Sequence, residues 1–122
     1  MTISFKRYCK TMELRNDPLL IEAYKKAHVK GAAWSEITKG MKEVGIIDME
    51  IYLFETRLFM IMDTRDDFNY DKAMYELAMK PRQSEWEAYM SQFQDSSAEA
   101  TADQKWQLMD RIYKMDNNIN TK

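Results

Sequence analysis

Two side chains suited to exchanging protons and binding hydroxyl groups, Tyr24 and His28, lie one helical turn apart early in the chain. His28 is the only histidine. Imidazole, with an ordinary pKa of about 6.5, is the side chain best placed to give and take protons near neutral pH. A phenol beside it could hold a hydroxyl group while the imidazole moves a proton. A single histidine on a helix is more often a surface or core-edge residue than a catalytic one, so the pair alone does not establish a site.

Three other side chains are candidates for the same kind of site. Trp86 and Tyr89 offer aromatic faces that can pack on the apolar C–H face of a pyranose, although core packing would explain both equally well. Glu50 interrupts an apolar strand and faces either solvent or the interior of the fold. In the interior it would need a partner or a raised pKa, both of which indicate a site. Asp48 and Tyr52 share its face, which leaves a solvated face as the alternative.

Other chemistries are poorly supported. One histidine and one cysteine do not make a standard zinc or haem ligand set, although carboxylates could hold a weakly bound hard cation. The chain contains neither the GxGxxG or GK[ST] motifs that cradle nucleotide phosphates nor a nucleophile elbow of the G-x-S-x-G kind. We therefore expect no metal site.

Composition predicts one ordinary globular domain over residues 1–122. The chain is 45% apolar and 31% charged, and its length is that of one domain. A net charge of −2 gives no reason to expect nucleic acid or an anionic membrane as a partner. No apolar stretch approaches the ~20 residues that span a bilayer, and the first ten residues do not read as a signal peptide. With Cys9 as the single cysteine, these features predict a cytoplasmic protein.

The hydrophobic pattern predicts alternating strands and pairs of helices. A strand over 5–15 is followed by a helix over 18–29, which Asp17 caps and Pro18 opens. Residues 46–54 alternate, with Ile47, Met49, Ile51 and Leu53 on one face and Asp48, Glu50 and Tyr52 on the other. The remaining predicted elements are helices over 33–44, 66–80 and 82–93, strands over 57–64 and 106–115, a polar loop over 95–104 and a frayed tail over 116–122.

This order is βαββαβ, the ferredoxin-like α+β arrangement, in which helices cover one face of a four-stranded antiparallel sheet. The second and third strands carry bulky apolar residues on both faces, so the uncovered face also needs burial. The chain has no spare helices for that purpose. We therefore expect a homodimer in which two sheets face each other as a dimeric α/β barrel.

Four segments, in order, resemble the L-rhamnose mutarotases. They are EAYKKAH over 22–28 with Trp34 following, GIIDMEIYL over 45–53 running into RLFMIMDT, EWEAYM over 85–90, and QLMDRIYKM over 107–115. The likeness covers roughly residues 6–115. It implies a dimeric α/β barrel enzyme that needs no cofactor and interconverts the α and β pyranose forms of a sugar.

The resemblance also implies roles for individual residues. His28 matches the family's catalytic acid, Tyr24 a sugar-binding tyrosine, and Trp86 the second member of a tryptophan pair that lines the pocket. Two positions depart from the family pattern, since Met49 stands where a binding tyrosine is typical and Glu85 where the first tryptophan is typical. The altered walls leave open whether the 6-deoxy hexose is L-rhamnose or L-fucose.

Anomer exchange requires the ring to open, and this needs an acid and a base. We expect His28 to protonate the ring oxygen. The base that removes the anomeric hydroxyl proton is unassigned, and Glu50, Glu85, a water or a group on another strand could serve. The alternative function is that of a dimeric α/β barrel monooxygenase or a small-ligand-binding module, because this fold supports several activities.

Overall fold

The computed structural model describes residues 4–29, 33–94 and 99–115. The elements along the chain are β1 (Phe5–Glu13), α1 (Pro18–Ala27), α2 (Ser35–Glu43), β2 (Ile46–Phe54), β3 (Arg57–Arg65), α3 (Tyr70–Ala78), α4 (Gln83–Ser91), α5 (Ala102–Lys105) and β4 (Gln107–Leu108).

The four strands form one antiparallel sheet in the order β2-β3-β1-β4. β1 and β3 pair along their whole length, from Phe5 opposite Arg65 to Glu13 opposite Arg57. β1 is therefore flanked by β3 and β4, the two strands of the second half of the chain, which is the ferredoxin-like order. This confirms the predicted α+β fold, while the predicted homodimer stays a prediction.

The two faces of the sheet differ. Leu58, Met60 and Met62 alternate along β3 and are buried in the core under the helices. On the opposite face, Tyr52 and Phe54 of β2 are exposed in the single chain. Side chains on a strand alternate between faces, so this face also carries Phe59 and Ile61 of β3. One face thus holds the core, and the other presents exposed apolar side chains beside charged ones, among them the ion pair of Arg7 and Asp63.

The helices begin where the sequence provides caps. The Asp17 side chain accepts hydrogen bonds from the backbone of Leu19 and Leu20, and Pro18 occupies the first turn. Asn69 caps α3 in the same way, so this helix begins at Tyr70 and not at residue 66 as predicted. Gly45, at φ 105°, ends α2 in a conformation that favours glycine. No helix among the described residues is long and apolar enough to cross a bilayer.

Three local predictions need correction. A register shift between Ile46 and Asp48 turns Ile46 into the core and leaves Ile47 52% exposed, so Ile47 does not share the face of Met49. The loop predicted over 95–104 contains the short helix α5, which Thr101 caps. The strand predicted over 106–115 is paired only at Gln107 and Leu108.

Two predicted segments lie wholly or partly outside the described residues. They are the tail over 116–122 and residues 95–98 of the polar loop.

Candidate active site

A cavity of about 290 Å³ lies between the inner face of the sheet and the helices. This volume is close to the lower end of the range for small-molecule pockets, ~300–1,000 Å³, and suits a ligand the size of a monosaccharide. One part of its wall is apolar and aromatic, formed by Met49, Ile51, Met60, Met62, Trp86 and Trp106. The polar part is formed by Lys10, Tyr24, His28, Glu87 and Gln94.

His28 lies at the rim of this cavity, immediately after the last residue of α1. Its ring packs against Tyr24, with the centroids 4.3 Å apart, and meets Trp86 edge-on at 5.8 Å. Its Nδ1 lies 2.8 Å from the Tyr24 carbonyl oxygen. Because a carbonyl oxygen can only accept, Nδ1 carries the hydrogen and donates it. This leaves Nε2 as the nitrogen that can exchange a proton with a ligand.

The surroundings of His28 favour the neutral ring at rest. Partial burial lowers the pKa of His28 below its ordinary value, and the hydrogen bond to the Tyr24 carbonyl opposes this only in part. A neutral ring with hydrogen on Nδ1 has a lone pair on Nε2. The resting side chain is therefore ready to accept a proton, and the end of helix α1 favours the positive charge that it would then carry.

Tyr24 lies deeper in the cavity and is only 4% exposed. Burial raises the pKa of this phenol, while a hydrogen bond from Gln94 opposes the rise, so the phenol stays protonated. Since Gln94 donates this bond, the phenol O–H remains a donor. The Gln94 side-chain oxygen is buried and has no hydrogen-bond partner among the described residues. A buried, unpartnered acceptor is costly, and a sugar hydroxyl entering the cavity would satisfy it.

The aromatic wall centres on Trp86, which is buried and extends from α4 into the cavity. Trp34 packs edge-on against Trp86 at 5.3 Å and stacks on Tyr89 at 5.8 Å. Arg82 lies over the Trp34 ring at 4.2 Å. Tyr89 thus supports Trp34 outside the cavity lining, and Trp86 is the aromatic side chain placed to meet a ligand.

The structure brings together four of the seven residues singled out from the sequence, and Tyr89, Glu50 and Glu85 lie outside the cavity lining. His28, Tyr24, Trp86 and Met49 all line the cavity. Glu50 lies on the open face of the sheet, where it pairs opposite Ile61 and accepts a hydrogen bond from the Tyr52 hydroxyl.

Glu85 is also away from the cavity, exposed on α4 and 3.4 Å from Arg82. Neither Glu50 nor Glu85 is positioned to act on a ligand held beside His28.

Sequence reasoning missed the polar side of the cavity. Lys10 lies on the same inward face of β1 as Tyr8 and Met12. The alternation of side chains along a strand was therefore enough to predict that Lys10 points inward. Glu87 belongs to a run at helical spacing of four, Gln83, Glu87 and Ser91, all of which are buried. That spacing was readable from the sequence.

Two of the charged groups on the polar side of the cavity, Lys105 and Glu87, form an ion pair with each other. Lys105 Nζ donates to the Glu87 carboxylate at 3.1 Å and to the Glu87 carbonyl oxygen at 2.6 Å. Gln83 donates to the other carboxylate oxygen at 3.0 Å. The Glu87 carboxylate is therefore held within the wall by two donors. Among the described residues, no three histidine, cysteine or carboxylate side chains converge as metal ligands would.

Comparison with known proteins assigns this arrangement to a family. Residues 7–115 match the sequence profile of L-rhamnose mutarotase. An L-fucose mutarotase of Xanthomonas campestris is 30% identical over 111 residues, covering 91% of this chain and 89% of that protein. A UPF0734 protein of Dictyostelium discoideum is 34% identical over 117 residues, covering 92% of this chain and 91% of its own.

A solved structure shares the fold. The crystal structure of an L-rhamnose mutarotase from Formosa agariphila superposes with a TM-score of 0.63, covering 91% of this chain and 99% of that one. The sequence identity is 17%, so this likeness supports the fold alone.

Proposed function

Since the chain belongs to the L-rhamnose mutarotase family, and so is an isomerase acting on sugars, we propose that it interconverts the α and β anomers of a 6-deoxy hexose, either L-rhamnose or L-fucose. The observation that carries this proposal is a single cavity with a proton-exchanging group, hydroxyl-binding groups and an apolar wall. His28 supplies the first, and Tyr24 and Gln94 the second. The Met49 side of the cavity suits the methyl group that distinguishes a 6-deoxy sugar.

In this proposal His28 handles the proton of the anomeric oxygen. The neutral Nε2 takes the hydroxyl proton as the C1–ring oxygen bond breaks and the aldehyde forms, while the ring oxygen takes a proton from a second donor in the cavity, which regains it when the ring closes. The aldehyde turns, and the imidazolium then acts as the general acid by returning the proton to the carbonyl oxygen as the ring closes on the other face. The Nδ1–H bond to the Tyr24 carbonyl, which leaves the Nε2 lone pair free, supports assigning acceptance to the opening step, and the lowered pKa of His28 agrees with it. The sequence had suggested donation to the ring oxygen.

The test is saturation-transfer NMR at the anomeric protons of L-rhamnose and L-fucose, with D-glucose as the control. We expect the wild-type protein to accelerate exchange for one or both deoxy sugars over glucose. Glucose carries a hydroxyl at C6 that the apolar wall does not satisfy. Equal rates with and without protein for both deoxy sugars would refute the proposed function.

We also propose that the enzyme works as a homodimer in the cytoplasm. The open face of the sheet carries exposed Tyr52 and Phe54, and Ile112 and Tyr113 beyond β4 are 95% and 75% exposed. Exposed apolar side chains of this kind support burial against a second copy. A single cysteine, Cys9, which is free, suits a reducing compartment.

Ile61→Lys tests the dimer, because Ile61 lies in the centre of the open face, paired with Cys9 and Glu50. We expect wild type to sediment as a dimer and Ile61→Lys as a monomer, because the lysine charge opposes burial. Leu19→Lys is the matched control, since Leu19 is 82% exposed on α1, and it should remain dimeric. A monomeric wild type, or a dimeric Ile61→Lys, would contradict the proposal.

A further inference from the structure

We propose that Lys10 is the second proton-exchanging residue of this site: its ammonium gives a proton to the ring oxygen while His28 takes the proton of the anomeric hydroxyl. This inference rests on the proposed mutarotase function and deepens it by filling the role that the sequence left unassigned.

Lys10 is placed in the cavity by the sheet. It lies on β1, directly opposite Met60 of β3 on one side and Leu108 of β4 on the other. Its alternation with Tyr8 and Met12 directs it towards the helices, and it is only 1% exposed. Lysine is almost never fully buried without a partner. Lys10 nevertheless lines the same cavity as His28.

The contacts of its ammonium group distinguish Lys10 from Lys105, which is also buried. Lys105 Nζ has two acceptors from Glu87. Lys10 Nζ lies 4.8 Å from the centroid of the Tyr70 ring, and no described residue accepts a hydrogen bond from it or forms an ion pair with it within 4.0 Å. Its three N–H donors are thus not used by the described part of the protein. An oxygen-rich ligand in the cavity would receive them.

Several polar and charged groups face Lys10 and His28 from the surrounding elements. They are Tyr24 on α1, Tyr70 on α3, Glu87 on α4, and Asp103 and Lys105 on α5. Burial lowers the pKa of Lys10 to about 8, although Asp103 and Glu87 oppose the change. Lys10 is therefore mostly protonated at pH 7, yet it can release its proton. Partial burial lowers the pKa of His28, so the two residues rest in complementary forms.

The proton transfers balance. On opening, the anomeric O–H proton moves to His28 Nε2, and the electron pair forms the C=O bond as the C1–ring oxygen bond breaks. The ring oxygen takes a proton from Lys10 Nζ. On closing, the hydroxyl formed from the ring oxygen returns its proton to the Lys10 amine and attacks C1. The His28 imidazolium protonates the carbonyl oxygen, and the enzyme ends in its starting state.

Lys10→Met and Lys10→Arg test this role, with anomer exchange followed from pH 5 to pH 10 to give kcat and KM. Wild type should show a bell-shaped rate, falling above about pH 8 as Lys10 loses its proton and falling at acid pH as His28 gains one. Lys10→Met should lower kcat about 10²–10⁴-fold and abolish the fall near pH 8. Lys10→Arg should keep KM within a few-fold but lose kcat, because arginine does not release its proton. Lys39→Met, an exposed change on α2, should leave both parameters unchanged.

A full rate and an unchanged pH profile in Lys10→Met would overturn the assignment while leaving the mutarotase function intact. A wild-type protein that exchanges neither sugar would overturn the function itself, and the assignment with it. If the variants do not fold, ¹³C NMR of the lysine side chains in wild type decides. A Lys10 pKa that coincides with the alkaline limit of the rate supports the role, and a pKa near the ordinary ~10.4 refutes it.

Discussion

Replacing His28 with alanine is expected to slow anomer exchange about 10²–10⁴-fold, the usual loss for a general acid–base group. The imidazole is held by its Nδ1–H bond to the Tyr24 carbonyl and by packing on Trp86, so it is already oriented before a sugar binds. Alanine leaves the anomeric proton without an acceptor. The sugar should still bind, because Tyr24 and Gln94 remain in place.

The variant should keep KM within a few-fold and remain folded, since His28 lies at the rim and contributes little to the core. Added imidazole should restore part of the rate by entering the space that the side chain leaves. Val29→Ala, an exposed change at the next residue, is the control and should keep the wild-type rate. Full activity in His28→Ala would remove His28 from the mechanism. Saturation-transfer NMR measures the rates, and thermal denaturation checks the fold.

The sheet was largely predictable because a period of two in apolar residues leaves little choice of structure. Strand β2 has the predicted bounds, and β3 extends one residue further, to Arg65. The start of α1 was equally clear, because Asp17 followed by Pro18 supplies both a cap and a first turn. In these segments local preference and tertiary packing agree.

The C-terminal strand was less predictable because a strand needs a partner as well as an alternating pattern. Only Gln107 and Leu108 find one, opposite Thr11 and Lys10 of β1. Beyond them, Ile112 and Met115 are almost fully exposed in the single chain. Their apolar character is what the proposed second copy would use. Pattern alone does not say whether the partner belongs to the same chain.

The candidate site was likewise predictable only in part from the sequence. Tyr24, His28 and Trp86 were predicted from helical spacing and aromatic character together with the resemblance to the mutarotases, and all three line the cavity. Glu50 was ambiguous, because both faces of β2 are apolar and its register alone decides which face looks into the cavity. Lys10 was overlooked because lysine is normally assigned to solvent, although its strand position was inward. Composition thus misled at Lys10, where the usual preference of lysine for solvent conflicts with its inward strand position.

Lys105→Met is expected to lower the free energy of unfolding by about 3–5 kcal/mol, because it leaves Glu87 as a buried carboxylate without its cation. Lys105 joins α5 to α4 at the helix that carries Trp86, so the ion pair also fixes the wall of the cavity. Urea denaturation measures the change. The matched control is Lys25→Met, which breaks an exposed pair with Glu22 at 2.9 Å and should cost no more than about 1 kcal/mol.

The double variant Lys105→Met/Glu87→Gln separates the two causes of this loss. It removes the buried charge. In the wild-type chain Gln83 donates a hydrogen bond to the Glu87 carboxylate, and the side-chain oxygen of the new glutamine can accept the same bond. If the cost of Lys105→Met is that of an unpaired charge, the double variant should recover most of the stability, because an apolar or neutral wall is often as stable as a buried ion pair. If it recovers none, packing between α4 and α5 is what Lys105 provides. A cost for Lys105→Met as small as that for Lys25→Met would show that the pair is not buried in solution.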